Sequence, residues 1–237
     1  MPFFASMWSQ ERRYEFAVGV ADSVSRVAAL GLLVASGMVA LGWPAIDLVF
    51  TGGRFSSADA RQCSLYFAIF SVSMFLWSAQ AIYARAFYAA GNTFAPMVAS
   101  TIVTAFSLPI YNSLFHWCGA TGLALASDAG IALQTLTIAL LLHRRRMVSL
   151  ASLDYAEMGR CLLAAIASGA GAGLLAWGLN HLYSHLPVLI ALRHSRSLTD
   201  AVILVAGLAV WTLIAKWTLE KSGSALPRVV LHRSGLA

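Results

Sequence analysis

Six times along this chain about twenty residues pass with almost no charged side chain. Those runs constrain the fold more than any other feature. A helix rises about 1.5 Å per residue, so roughly 20 apolar residues cross the ~30 Å hydrocarbon core of a bilayer. Reading between charges places the runs at Val27 to Ile46, Gln62 to Ala84, Pro96 to Trp117, Gly119 to Leu142, Cys161 to Leu182 and Thr199 to Trp217. The fourth holds one acid, Asp128; the last is the weakest, because Asp200 and Lys216 leave a short uncharged centre and must snorkel toward the interfaces. Composition agrees: 59% of residues are hydrophobic and 11% charged, against about 45–50% and about 25% in water-soluble domains. With so little charge no solvated shell can be built, and the apolar surface must face lipid. The expected fold is an all-α membrane protein, a bundle of about six transmembrane helices.

Local chemistry supports the gaps. Thr51-Gly52-Gly53 and Ala90-Gly91-Asn92-Thr93 are turn sequences, and Cys118-Gly119-Ala120-Thr121-Gly122 leaves a very tight third connection. Pro96 suits a first helical turn, whereas Pro109 lies inside a span and is expected to bend it. Orientation follows from the basic residues. Alternating loops put twelve of them on one side, among them Arg12, Arg13, Arg26, Arg85, the triplet Arg144-Arg145-Arg146 and Arg160; Arg54, Arg61, Arg193 and Arg196 fall on the other, which accounts for all 16. The positive-inside rule makes the first side, with both termini, cytoplasmic. The expected division is a cytoplasmic segment 1–26, four spans in 27–145, a cytoplasmic loop 146–160, two peripheral spans in 161–217 and a cytoplasmic tail 218–237.

The net charge of +6 does not signal nucleic acid, because the arginines sit singly or as one triplet between apolar runs. Three cysteines without CxxC spacing, Cys63, Cys118 and Cys161, form neither a disulfide framework nor a zinc site. The six histidines are scattered, with no HExxH, and no GxSxG or Walker-type loop occurs. The chain is therefore not expected to be an enzyme, and no cofactor or metal is expected. Asp154 and Glu157 read as a solvated loop face, and the run Gly169-Ala170-Gly171-Ala172-Gly173 as a close helix-packing surface.

Polar residues inside the bilayer are more informative. A carboxylate at the centre of a membrane helix costs on the order of 2.5–3.5 kcal/mol on insertion scales, so Asp128 should face a bundle interior or a watery cavity. Ser107 and Tyr111, spaced i,i+4, share one face of the third span and are expected to join Asn112, Ser127 and Gln134 in a polar lining. Ser107, Ser127 and Asp128 are a possible cation site. Arg85 closes the second span, as a positive-inside anchor or as a contact to a phosphate.

Several segments carry a resemblance. Ala84-Arg85-Ala86-Phe87-Tyr88-Ala89, followed by Gly91-Asn92-Thr93 and Pro96, resembles a signature of the MurJ/MviN lipid II flippases, within the multidrug/oligosaccharidyl-lipid/polysaccharide exporter superfamily. Met1-Pro2-Phe3-Phe4-Ala5-Ser6 looks like the close of that family's eighth helix. Pro44 to Phe55, followed by Asp59, is similar to its turn after the ninth, and Gly119 to Ser127 to the start of its twelfth. The resemblance implies the ninth to fourteenth helices of a fourteen-helix transporter in the bacterial inner membrane. A missing N-terminal lobe would be its partner in alternating access. It also implies a lipid-linked oligosaccharide substrate, the peptidoglycan precursor lipid II. Arg85, Asn112 and Asp128 are expected to contact it, Asp128 for its place inside the bilayer and not by the resemblance, since the family more often carries a small or uncharged residue there. The remaining alternatives are export of another polyprenyl-linked polysaccharide unit or of a drug, or a truncated membrane protein that does not transport.

Overall fold

A computed structural model of the chain describes residues 2–51, 54–185 and 196–226. It contains α1 (Pro2–Ser9), α2 (Arg13–Phe50), α3 (Ser57–Val72), α4 (Met74–Ala89), α5 (Phe94–Arg144), a 3-10 turn (Leu150–Ser152), α6 (Tyr155–His185) and α7 (Arg196–Lys221). There is no strand among the described residues.

Four of these helices are long and apolar enough to cross a membrane, and α3 and α4 taken as one span are long and apolar enough for a fifth. The sixth is inside α5. A straight helix of 51 residues would reach about 76 Å, more than twice the hydrocarbon thickness. Instead the backbone at Gly119 turns to φ 59°, ψ −137°, a conformation that glycine alone adopts cheaply. Beyond it the chain folds back. Gln134 Nε2 donates to Ser100 Oγ at 2.8 Å, and a Cβ on Gly130 would lie 3.6 Å from the Tyr111 hydroxyl. In an unbroken helix those pairs would be about 51 Å and 28 Å apart. Thus 94–118 and 120–144 are two antiparallel arms, and the expected tight connection is a single glycine. The crossings then number about six.

Residues 13–26, read from the sequence as part of a cytoplasmic segment, are helical and form the first turns of α2. Phe16, Val20, Ala21 and Val24 pack in one cluster with Tyr83, Phe87, Ile138 and Leu142, while the Arg12–Glu15 and Arg26–Asp22 ion pairs stay exposed. Each pair lies on the outward stripe of an amphipathic helix. Pro44 lies inside α2, which continues to Phe50, and Pro109 lies within helical backbone. No helix-breaking residue marks the interruption at Ser73.

Two compact units divide the described chain: residues 1–31 with 73–159, and 32–72 with 160–237. In the first, α2 meets α4 so closely that a Cβ on Gly31 would lie 2.8 Å from Phe75 Cα. Asp154 and Glu157 turn out to be structural. The Asp154 carboxylate accepts from the Glu157 amide, the N-terminal cap of α6, and the Asp154 amide donates to Ser25 Oγ. In the second unit the glycine run of α6 is a packing surface. A Cβ at Gly169 would sit 3.1 Å from Ser36, and one at Gly171 only 2.3 Å from Ile214 Cδ1. Trp211 Nε1 donates to Ser36 Oγ at 3.0 Å.

Candidate functional site

The first unit contains a cleft of about 310 Å³ between the two arms of α5 and Trp77 of α4. Its polar groups come from both arms. Thr104, Ser107 and Tyr111 stand on the first, and Ser127 and Gln134 on the second. The i,i+4 pair Ser107 and Tyr111 is therefore on one wall, and the hairpin brings Ser127 and Gln134 opposite. Ser107 donates to its own helix at Val103 O (2.8 Å), and Gln134 spans the arms to Ser100. Hydroxyls and an amide around a membrane-level cleft offer hydrogen bonds without net charge, which suits sugar or peptide groups better than a bare ion.

Arg85 is exposed two turns away on the same face of α4. Trp77, Ala81, Arg85 and Tyr88 are successive outward residues of that helix, which puts Arg85 about 12 Å along the axis from the cleft. Among the described residues no ion pair includes Arg85, so its guanidinium is available to a phosphate. Asn112 is exposed too, but it lies outside the cleft. Five positions from Ser107 is about 140° around a helix, which turns its amide away from that wall.

Asp128 is not part of the cleft wall either. One residue past Ser127, it points about 100° around the arm, where the Ser73 side chain bonds its carboxylate at the interruption between α3 and α4. Its Oδ1 is buried with no hydrogen-bond partner among the described residues. Thr135, two turns farther on the same arm, approaches Leu76 O at 3.3 Å. The second arm thus touches the broken helix at two levels. Ser107 and Ser127 share the cleft while Asp128 faces Ser73, so the three residues expected to form a cation site do not converge. Among the described residues no group of three His, Cys, Asp or Glu gathers as a metal site.

A carboxylate so placed costs stability, which gives a direct test. Asp128→Asn, keeping the shape and losing the charge, is expected to raise the thermal stability of the detergent-solubilised chain by about 1–3 kcal/mol. A fall of that size would instead mean that the carboxylate is stabilised by its partners, the Ser73 hydroxyl among them, more than burial costs it.

Sequence reasoning missed Ser73, Trp77 and Thr104. Thr104 carries the i,i+3 signal relative to Ser107 and was legible in principle; Ser73 and Trp77 sit in an apolar run that reads as continuous helix.

Comparison with known proteins adds the following. A family model described as lipid II flippase MurJ matches residues 1–193. The probable lipid II flippase MurJ of Treponema pallidum (strain Nichols) is 31% identical over 108 residues, covering 46% of this chain and 20% of that protein. A solved structure of lipid II flippase MurJ in an inward closed conformation superposes with a TM-score of 0.66 at 14% identity, over 92% of this chain and 42% of that one. The chain therefore spans less than half the length of these relatives, and the structural likeness speaks for the fold.

Proposed function

The chain belongs to the lipid II flippase MurJ family, and from that premise we propose that it forms part of the substrate-contacting lobe of a lipid II flippase in the bacterial inner membrane. The single observation that carries this is the polar cleft between the arms of α5, walled by Trp77, Ser107, Tyr111 and Ser127, with Arg85 on the same face of α4. Lipid II chemistry matches the two parts separately. The disaccharide and peptide seek hydrogen bonds of the kind the cleft offers, and the pyrophosphate seeks an unpaired guanidinium. The polyprenyl tail remains in lipid.

Transport on this reading is alternating access, in which this lobe rocks against a lobe formed by the transporter's other helices. Both termini and the Arg144–Arg146 end lie in the cytoplasm, in keeping with the distribution of basic residues. Asn112 contacts substrate only in a state where the first arm meets the opposing lobe.

The experiment uses lipid II with a photoreactive peptide headgroup, in vesicles holding the purified chain. Label is expected on peptides containing Trp77, Ser107 or Ser127, and excess unlabelled lipid II should compete where undecaprenyl phosphate does not. Labelling that undecaprenyl phosphate removes equally, or that appears only on tail-facing helices, would reject headgroup recognition. Preferential labelling by a cationic amphiphile would point to drug export.

A further inference from the structure

A second cavity in the same unit adjoins the cleft just described at Val103 and shares none of its polar groups. It is a groove of about 670 Å³ along the other side of the α5 hairpin. One wall is the first-arm row from Phe94 to Phe106, and the other is the second-arm row from Leu133 to Arg145, each at spacings of four residues. Both rows run over twelve residue steps, about 18 Å, close to the ~15 Å depth of one leaflet of hydrocarbon. Thr137 is the polar group midway, and its hydroxyl is already bonded to Leu133 O at 2.7 Å, so nothing along the groove calls for water. At the mouth stands Arg145, exposed, its guanidinium carbon 5.9 Å from the centre of the Phe87 ring and flanked by Arg144 and Arg146.

We propose that this groove seats one acyl chain of an anionic glycerophospholipid, with Arg145 on its phosphate. Charge complementarity at the mouth and an apolar floor one leaflet deep identify the occupant together. A packed helix of the same length and ~10 Å diameter fills roughly 1,400 Å³, about twice the room present, whereas a single hydrocarbon chain fits. Arginines at the cytoplasmic end of a helix pair are the usual seat of acidic lipid headgroups. The Arg145–Phe87 contact holds the guanidinium over the groove's entrance. The site is independent of lipid II recognition, since it shares neither Arg85 nor the polar wall.

Photoactivatable phosphatidylglycerol and phosphatidylcholine with identical acyl chains test it, each as a minor component of phosphatidylcholine vesicles holding the purified chain. Phosphatidylglycerol should label 94–106 and 133–145 on the order of fivefold more than phosphatidylcholine, the factor that about 1 kcal/mol of arginine attraction gives. Arg145→Glu should erase that preference while leaving total labelling in place, and Val98→Trp, which fills the groove, should cut labelling by both lipids. Arg145 is exposed, so its variant should melt as the parent does. Equal labelling by the two lipids, or an unchanged preference in Arg145→Glu, overturns the proposal. So does absence of label from both rows, or stronger labelling by undecaprenyl phosphate than by phosphatidylglycerol. None of these readouts depends on transport or on Arg85, so this idea and the flippase reading fail separately.

Discussion

Gly122→Val leaves the α5 hairpin unable to close. A Cβ at this position would lie 1.9 Å from Leu114 O and 2.5 Å from Leu114 C, and 3.2 Å from Cys118 Cβ. The first two are backbone atoms of the opposing arm, so no rotamer change relieves the overlap and the arms must separate. Close approach of helices through glycine is what holds membrane hairpins together, because lipid supplies no hydrophobic drive between them. Separation removes the Gln134–Ser100 bond, the polar cleft and the apolar groove. The expected loss exceeds about 3 kcal/mol, beyond the usual range for overpacking, since backbone rather than side chain is displaced. Even Gly122→Ala should be severe. Gly178→Ala, inside α6 with nothing within 4 Å of the added carbon, is the control and should match or slightly exceed the parent. Thermal unfolding in detergent, with a disulfide between cysteines at 100 and 134 as the reporter of hairpin closure, reads both. A Gly122→Val chain that melts like the parent and still closes that disulfide would refute the hairpin.

Arg85→Glu should lower capture of the lipid II headgroup at least tenfold without changing the melting temperature. A charged hydrogen bond to an oxyanion contributes about 1.5–3 kcal/mol, and reversal adds repulsion to its loss. Arg85 is exposed and outside the packed cluster that holds its neighbours Tyr83, Ala86 and Phe87, so folding does not depend on it. Arg85→Lys should retain part of the binding, because a point charge replaces the planar fork but the positive field stays. Headgroup photolabelling at parental levels in Arg85→Glu would remove the residue from the substrate path and leave it as an interfacial anchor. A loss confined to undecaprenyl-linked probes with no dependence on the sugar–peptide head would place the contact at the phosphate alone.

Much of the site was legible because helix periodicity is rigid arithmetic. Ser107 and Tyr111 had to share a face. Once the Gly119–Gly122 connection was read as tight, Ser127 and Gln134 had to come back beside them. Asn112 and Asp128 were assigned by polarity alone, and polarity says nothing of azimuth. One step along a helix turns a side chain by about 100°, enough to take Asp128 off the cleft and onto Ser73. The packing of residues 13–26 was illegible for a related reason. Arg12, Glu15, Asp22 and Arg26 look like a charged segment in a linear reading, yet they line one stripe of a helix whose other face packs Phe16 and Val20.

What the amino-acid sequence determined by itself was the solvent and the secondary structure. Six apolar runs with too little charge for a solvated surface force helices in lipid, since a backbone without water must bond within its own segment. The glycine at 119 forces the reversal, and the motifs around Arg85 and Gly119 carry the family. Tertiary structure alone decided which polar groups meet. The break at Ser73 has no glycine or proline to announce it; it exists where α4 packs against the second arm, with Asp128 and Thr135 at its two levels. The groove ending at Arg145 is equally invisible in one dimension, because its walls are rows some forty residues apart that only the hairpin aligns. Local sequence fixes dihedral angles and periodicity, whereas the energy of a cleft or a helix break resides in contacts between segments distant along the chain.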